Sequence, residues 1–284
     1  MIWVPKEQAL SPRRVYVDGV RTRLVEAGPP AAPPVVLLHG VGGHLEAWTH
    51  TIDALAVDHR VFAYDFPGHG WSSAPAGRSY EVEGYVRHLS VLLDHLGLEA
   101  PDLVGLSLGG WVGAAFARRF PSGLRRLVLV APGGVRADPT VMNAIRTLSA
   151  AATEAPTEKS VRERLAWLMA DPATVTADLV GARLAIYRRP GASEAMERVL
   201  CLQDPEVRAR NLLSPVDWAQ ITAPTLVVWG DRDATGPQSV GQELAGWIPG
   251  ARFAPMAGVG HWPQFEDPAT FNALVRAFLQ EKRI

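Results

Sequence analysis

Five short apolar runs constrain the fold of this chain more than any other feature. They are rich in valine and leucine and do not alternate with polar residues. They occupy residues 35–38, 60–64, 103–105, 127–130 and 225–229. Strands of this kind are covered on both faces, as in parallel sheets. Stretches with helical spacing separate them, most clearly residues 82–96. The alternation predicts an α/β fold, in which helices cover both faces of a mostly parallel central sheet.

A hairpin signal precedes the first of these runs. Residues 14–17 and 22–26 have strand character, and Asp18-Gly19 lies between them. Asp-Gly favours the tight turns that match the twist of two paired strands. We therefore predict that these segments form the antiparallel edge of the sheet.

One long interval interrupts the pattern of strands and helices. From about residue 138 to residue 218 the chain contains several amphipathic helices and no strand, and X-Pro junctions divide it. The residue before a proline disfavours helix continuation, so these junctions separate helices. We predict a core of residues 1–135 and 219–284 and a helical lid of residues 136–218. The alternative is a second small domain with no role over the site.

Composition and charge exclude several classes of protein and partner. The chain has 284 residues, of which 48% are hydrophobic and 20% charged, so it is neither disordered nor a small disulfide scaffold. Its formal net charge of −1 gives no broad field to attract nucleic acid or anionic lipid. No apolar run approaches the roughly 20 residues that a membrane-spanning helix needs. We predict a small-molecule substrate as partner, neither nucleic acid nor membrane, and leave open whether copies form a homo-oligomer.

Cysteine content and the N-terminal residues predict the compartment. Cys201 is the single cysteine, so no intramolecular disulfide can form, which suits a reducing environment. Residues 1–14 lack the charged region, apolar run and cleavage site of a secretory signal. We therefore expect a cytoplasmic protein.

The sharpest local motif is Gly-Leu-Ser-Leu-Gly-Gly at residues 105–110. It follows a strand-like run and precedes a helix-like segment, which is the context of a nucleophile elbow. Such a turn holds its serine in a strained conformation that exposes the hydroxyl, and glycines are needed where a side chain would meet neighbouring backbone. The motif predicts Ser107 as a nucleophile.

A serine nucleophile needs a histidine base and a carboxylate that fixes the imidazole tautomer. His261 lies in a glycine-rich loop before the last predicted helix, in the chain order serine, acid, histidine. Asp231 and Asp233 compete for the acid, because both follow the last apolar run. We favour Asp233, since the carboxylate must reach past the end of the strand, and interpret Asp231 as a turn residue.

Two backbone amides are needed to stabilise an oxyanion. The amide of Leu108, next to the nucleophile, and the amide of Val41, in a glycine-rich loop after an earlier strand, are predicted to supply them. A dinucleotide motif is the rival interpretation of that loop, but it would require glycine at Leu45. The sequence contains no metal-binding spacing, and we predict neither a metal nor a cofactor.

The motifs HGVGG, DFPGHGWS, GLSLGG, WGDRD and GHWPQFEDP, in this order, resemble those of the α/β-hydrolase superfamily over nearly the whole chain. VDGVRTRLVEAG, APGGV and the His261-Trp262 pair are similar to the meta-cleavage-product hydrolases, which hydrolyse a carbon–carbon bond in ring-opened aromatic compounds. The resemblance implies an α/β-hydrolase fold with a helical lid. It also implies that Arg183 binds an anionic substrate head, and it includes Gly42, Leu106 and Trp262 among the substrate-binding residues.

The chain departs from that family at two positions. The family usually has a polar residue, often asparagine, before the nucleophile and another in the loop helix, where this chain has Leu106 and His50. The predicted function is a serine-dependent carbon–carbon hydrolase of a ring-opened aromatic dienoate. Two alternatives remain: a carboxylesterase or lactonase acting on a bulky apolar ester, and a hydrolase-fold ligand receptor. The predicted lid should line an apolar pocket, with Trp167, Leu168, Ile186 and Tyr187 as candidates.

Overall fold

Eight strands form one sheet in the computed structural model, which describes residues 11–281. Their order across the sheet is β1-β2-β4-β3-β5-β6-β7-β8. The first two pairings of this order are antiparallel and the others are parallel, as predicted. The strands are β1 (Arg13–Val17), β2 (Val20–Ala27), β3 (Pro34–Leu38), β4 (Arg60–Tyr64), β5 (Asp102–Leu106), β6 (Leu127–Val130), β7 (Thr225–Gly230) and β8 (Arg252–Met256).

Helices connect the parallel strands and cover the sheet. Three short 3-10 helices accompany them at Leu45–Trp48, Pro172–Thr174 and Leu200–Gln203. The α-helices are α1 (Thr49–Leu55), α2 (Val82–Leu96), α3 (Leu108–Arg119), α4 (Pro139–Glu154), α5 (Glu158–Ala166), α6 (Ala177–Tyr187), α7 (Ala192–Val199), α8 (Pro205–Asn211), α9 (Pro215–Trp218), α10 (Gln238–Trp247), α11 (Pro263–Glu266) and α12 (Pro268–Gln280). No helix among residues 11–281 combines the length and apolar character needed to cross a bilayer.

Burial explains which strands the sequence pattern revealed. Every residue of β5, β6 and β7 is buried, so these strands are covered on both faces, as their unbroken apolar runs predicted. The eighth strand, β8, was not predicted. It lies at the sheet edge, leaves most of its residues partly exposed and contains Pro255, so it lacks a continuous apolar run.

The N-terminal hairpin forms where it was predicted. Asp18 and Gly19 both have positive φ, 48° and 72°, as the tight hairpin turn requires. Val17 pairs with Val20 across this turn, and β2 continues the antiparallel pairing onto β4. The hairpin is therefore the antiparallel edge of an otherwise parallel sheet.

Residues 138–218 form helices α4 to α9 without a strand, as predicted, and are called the insertion below. The X-Pro junctions mark helix starts, because Asp138, Asp171 and Asp204 each accept hydrogen bonds from the first turn of the helix that follows. Buried apolar residues of the insertion belong to the same hydrophobic cluster as those of the sheet. The division into a core and a lid stays a prediction.

Candidate active site

Ser107 lies in the sharp turn between β5 and α3. Its backbone is strained, with φ 54° and ψ −114°. A Cβ at Gly105 would clash with the carbonyl of Gly109, and one at Gly109 would clash with the carbonyl of Leu38. These glycines therefore let the turn pack against β3, which is the arrangement of a nucleophile elbow.

The predicted base and acid meet although 28 residues separate them. His261 Nδ1 lies 2.8 Å from Asp233 Oδ2, and both side chains are buried. Asp233 follows β7 and His261 follows β8, so neighbouring parallel strands deliver them to the same sheet edge. Asp231 Oδ1 instead accepts a hydrogen bond from the amide of Gly258 at 2.7 Å. Asp231 thus has the turn role that the sequence suggested.

Thr235 is a third member of this group that sequence reasoning missed. Its amide and its hydroxyl both donate to Asp233 Oδ1 at 2.7 Å. Because the hydroxyl proton is directed at Asp233, Thr235 Oγ1 is left to accept from His261 Nδ1, which lies 3.1 Å away. These contacts assign the imidazole proton to Nδ1 and leave Nε2 free as an acceptor. Thr235 comes two residues after Asp233, which is the spacing of an Asx turn. That spacing was the signal available in the sequence.

Ser107 and His261 line one cavity together with Val41 and Thr235. Within residues 11–281, the side-chain hydrogen bonds include no direct contact between Ser107 and His261. Catalytic hydrogen bonds of this kind are often longer in the absence of substrate and tighten in the complex. The arrangement brings the predicted nucleophile and the predicted base to the same cavity, with the predicted acid bonded to the base.

Both predicted oxyanion donors also line this cavity. Leu108 is the first residue of α3, where backbone amides have no partner within the helix and the helix dipole favours negative charge. Val41 follows Gly40, where an added Cβ would lie 3.2 Å from Ser107 Cβ. The loop therefore approaches the nucleophile closely. A carbonyl oxygen placed between these two amides would lie beside Ser107.

The loop that carries Val41 is fixed by a buried histidine. His39 Nδ1 donates to the carbonyl of Gly40 at 2.8 Å, and His39 Nε2 accepts from the amide of Phe66 at 3.0 Å. Burial lowers the pKa of His39 well below its ordinary value, so the ring stays neutral. His39 shapes the loop, as the sequence suggested, and so does His69, which bonds to the carbonyl of Pro67 at 3.0 Å.

A buried ionic cluster that the sequence did not reveal supports the same loop. Arg23 binds both Glu46, at 2.5 Å, and Asp65, at 3.1 Å. Asp65 Oδ1 also accepts from the amide of Leu45 at 2.8 Å, which accounts for Asp65 without a dinucleotide. Burial opposes ionisation of Glu46, but hydrogen bonds from His44 and Arg23 outweigh it and lower its pKa. The cluster ties β2 and β4 to the segment after the oxyanion loop.

The four residues predicted to bind substrate lie in different places. Trp262 lines the cavity beside His261. Arg183 is 1% exposed, donates from Nη1 to the carbonyl of Gly42 at 2.6 Å, and lies 5.5 Å above the Trp262 ring. Gly42 itself lines a separate cavity of about 440 Å³. Leu106 is fully buried in β5 and is absent from the lining of either cavity.

The cavity at Ser107 is largely apolar on one side and narrow on the other. The apolar side has a volume of about 130 Å³ and leads to a narrow end of about 20 Å³. Of the predicted lid residues, Leu168 lines the narrow end, whereas Ile186 and Tyr187 line the separate cavity. Trp167 instead packs against the buried guanidinium of Arg164, which lies 5.6 Å from its ring. Within residues 11–281 no group of three or more His, Cys, Asp or Glu side chains is arranged to hold a metal. The larger apolar residues that line the apolar side of the cavity are Trp111, Val135, Val141, Ile145, Leu202, Trp229 and Val240, and the polar lining of that side includes Arg136, Asp138, Gln203 and Arg208.

Comparisons with known proteins agree with this geometry. Residues 33–268 match the family model described as alpha/beta hydrolase fold. The chain is 34% identical to 2-hydroxy-6-oxo-2,4-heptadienoate hydrolase of Pseudomonas putida strain F1, covering 94% of this chain and 95% of that one. It is 33% identical to 2-hydroxymuconate semialdehyde hydrolase of Pseudomonas sp. strain CF600, covering 95% and 94%. The meta-cleavage product hydrolase of Pseudomonas fluorescens IP01 superposes with a TM-score of 0.84 at 28% identity, covering 94% and 97%. The chain therefore belongs to the α/β-hydrolase family, and it is a hydrolase.

Proposed function

We propose that this hydrolase cleaves a carbon–carbon bond in a ring-opened aromatic 2-hydroxy-6-oxo-2,4-dienoate. Two relatives more than 30% identical over nearly the whole chain carry names of this kind. Ser107 acts as the nucleophile, His261 transfers protons and Asp233 orients His261. The amides of Val41 and Leu108 stabilise the oxyanion.

The observation that carries this proposal is a buried guanidinium, without a counter-charge among residues 11–281, next to the cavity that contains Ser107. The larger side of this cavity is lined by apolar residues such as Val141, together with the polar side chains of Arg136, Asp138, Gln203 and Arg208. At the other side lies Trp262, with the buried guanidinium of Arg183 above its ring. Nε and Nη2 of Arg183 have no hydrogen-bond partner within the described residues 11–281. A substrate with an anionic head brings a counter-charge close to this cation, whereas a neutral apolar ester leaves it unpaired.

The size of the apolar side favours a small acyl group. Its volume of about 130 Å³ is slightly below the roughly 150 Å³ of a cavity known to hold benzene. An acetyl or short-chain acyl group fits, and a single ring is the upper limit. We therefore propose 2-hydroxy-6-oxohepta-2,4-dienoate as a representative substrate. Its carbonyl carbon at position 6 lies next to Ser107.

The first stage converts the dienol to its keto form. The hydroxyl at carbon 2 loses a proton and carbon 5 gains one, so that carbon 2 becomes a carbonyl conjugated to the remaining double bond. Ser107 Oγ then bonds to carbon 6 while His261 Nε2 takes its proton, and the oxygen on carbon 6 becomes negative between the two amides. Asp233 and Thr235 hold the resulting imidazolium.

The second stage breaks the bond between carbons 5 and 6. The electron pair moves from carbon 5 through the double bond to the oxygen on carbon 2, which accepts the proton from His261. This releases 2-hydroxypenta-2,4-dienoate and leaves an acetyl group on Ser107. Water, deprotonated by His261, then releases acetate. One substrate and one water thus give two acids, and the enzyme returns to its starting state.

The test is a side-by-side assay of this dienoate, its 6-phenyl analogue, p-nitrophenyl acetate and a neutral aryl lactone. We expect the highest kcat/KM for the 6-methyl dienoate, with acetate and the pentadienoate formed in equal amounts and no turnover by Ser107→Ala. Turnover of only the ester or lactone would replace the proposal by the esterase or lactonase alternative. Binding without turnover of any of the four would favour a receptor.

We also propose where the enzyme is located in the cell and what it binds. A cytosolic enzyme is consistent with Cys201, which is half-buried and a free thiol. The partner is the small-molecule substrate, without a cofactor.

A further inference from the structure

A second buried arginine lies directly in the wall of the cavity that contains Ser107. Arg164 belongs to helix α5 of the insertion and is 2% exposed. It lines the narrow end of the cavity together with His261 and Trp262. Neither the sequence motifs nor the family resemblance pointed to this residue.

Arg164 has no counter-charge among the described residues 11–281. Its Nε donates to Ser149 Oγ at 2.9 Å, and its guanidinium lies 5.6 Å from the ring of Trp167. Its Nη1 has no hydrogen-bond partner, and Arg164 forms no ion pair, within the same residues. The pKa of Arg164 is lowered to about 10, mainly by burial; Tyr187 opposes this shift and Arg183 adds to it. The group still carries its charge at neutral pH.

A buried cation without a partner destabilises the folded protein unless a ligand supplies the anion. Two such cations, Arg164 on α5 and Arg183 on α6, lie near each other within the insertion. Residues that reduce stability in this way are concentrated at binding sites. An anionic ligand group is therefore the partner that the geometry leaves missing.

Arg164 and Arg183 differ in their position relative to the cavity. Arg183 donates from Nη1 to the carbonyl of Gly42 and to the hydroxyl of Tyr187. One edge of its guanidinium is therefore bonded to the loop that contains Val41 and Gly42. Arg183 is absent from the lining of the narrow end, where Arg164 is present. The narrow end has a volume of about 20 Å³, close to that of one water molecule, so a group that enters it must contact the wall.

We infer that Arg164 binds the anionic head of the substrate directly, with Nη1 donating a hydrogen bond to a carboxylate or enolate oxygen. This inference rests on the proposed function and names a specificity residue for it. Arg183 then contributes its positive charge from its place against the Trp262 ring, and its hydrogen bond to the carbonyl of Gly42 fixes that loop.

The first arm of the test compares an acid with its neutral counterpart. Steady-state kinetics are measured for 2-hydroxy-6-oxohepta-2,4-dienoate and for its methyl ester at carbon 1. We expect Arg164→Met to lower kcat/KM for the acid by about 10- to 100-fold, mainly through KM, because a charge-assisted hydrogen bond is lost. The methyl ester should change less than about threefold. Arg164→Lys should retain part of the preference for the acid.

Matched controls separate binding from structure. Arg162→Met makes the same substitution on the same helix, at an exposed side chain that donates to the carbonyl of Val175, and should leave both substrates unaffected. Ser149→Ala removes the anchor of Arg164 without its charge and should have a smaller effect than Arg164→Met. The Tm of Arg164→Met should be equal to or above that of the wild type, because a buried unpaired charge is replaced by an apolar side chain of similar length. A purely structural arginine would lower Tm instead.

A second arm does not depend on turnover. In the Ser107→Ala background, binding of benzoate and of methyl benzoate is followed by tryptophan fluorescence, with and without Arg164→Met. We expect benzoate to bind and Arg164→Met to weaken it about 10-fold or more, with methyl benzoate unchanged. If the dienoate is not hydrolysed but benzoate binding depends on Arg164, the proposed function fails and this inference stands. The inference would be overturned if Arg164→Met lowered kcat/KM equally for the acid and the methyl ester, or if it left benzoate binding unchanged. Either result would leave the proposed function intact.

Discussion

At the scale of single residues, Thr235 joins the acid to the base. Its hydroxyl lies 2.7 Å from Asp233 Oδ1 and 3.1 Å from His261 Nδ1. A contact of this kind fixes the carboxylate and the imidazole relative to each other. Thr235 is therefore a positioning residue.

We predict that Thr235→Val, which keeps the shape of the side chain and the backbone bond to Asp233, lowers kcat by about 10-fold or more. Thr235→Ser should restore most of the activity, because it keeps the hydroxyl. Steady-state kinetics check this, and a Thr235→Val enzyme with the wild-type kcat would contradict it.

Buried histidines make stability depend on pH. Burial lowers the pKa of His88 from 6.5 to about 3, and its Nε2 lies 3.1 Å from Thr22 Oγ1. The folded protein therefore keeps His88 neutral, whereas the unfolded chain binds a proton below pH 6.5. The stability that His88 confers is fully present above pH 6.5 and is lost as the pH falls from there to about 3.

His88→Gln tests this dependence. Between pH 7 and pH 5 the wild type should lose about 2 kcal/mol more of its free energy of unfolding than the variant does, since each pKa unit corresponds to about 1.4 kcal/mol. Urea unfolding at the two pH values measures the difference. Equal losses in both proteins would show that His88 is not held neutral.

Single residues differ in how far sequence can locate them. Ser107, Asp233 and His261 were predicted because each stands in a local motif whose order along the chain is diagnostic. Arg164 was not, because the charged stretch around it is typical of a solvated helix face and its burial depends on packing between the insertion and the cavity. Roles set by tertiary contacts leave little trace in local patterns.

At the scale of elements, the turn from β5 into α3 is tightly constrained by the neighbouring backbone. Gly109 lies in the first turn of α3, where a Cβ would clash with the backbone carbonyl of Leu38 on β3. Backbone on a central strand cannot move aside without disrupting the sheet. The requirement for glycine here is steric.

We predict that Gly109→Ala destabilises the protein by about 3 kcal/mol or more, or prevents folding. The matched control is Gly181→Ala in α6, where a Cβ meets nothing within 4 Å. That substitution should stabilise the protein by up to about 1 kcal/mol, because alanine favours a helix more than glycine does. Thermal unfolding of the two variants checks both. Similar stability of the two variants would mean that the turn can adapt.

The elements themselves were largely predictable. Helix α2 begins and ends where its apolar stripe does, at Val82 and Leu96. The central strands are buried on both faces, so their sequences carry a continuous signal. Strand β8 was missed because an edge strand with exposed residues and a proline carries no such signal.

At the scale of the whole molecule, the parallel sheet assembles the candidate site. Val41, Ser107, Asp233 and His261 follow β3, β5, β7 and β8, whose carboxyl ends lie along one edge of the sheet. Ligands bind at this edge in open α/β sheets. Residues distant in sequence therefore meet, and the chain order of the motifs was enough to predict it.

The insertion contacts the candidate site. Arg183 reaches the loop of Gly42 through a hydrogen bond of 2.6 Å, and Arg164 reaches the cavity wall. How its helices pack could not be predicted, because amphipathic helices of similar composition can pack over a sheet in many ways.

The central claim is that His261 and Asp233 activate Ser107. Labelling with a fluorophosphonate, followed by mass spectrometry of the peptides, tests it most directly. The account predicts an adduct on Ser107 in the wild type, with labelling strongly reduced in His261→Ala and absent in Ser107→Ala. An unlabelled Ser107 in the folded wild type, or labelling of Ser107 at the same rate without His261, would contradict it.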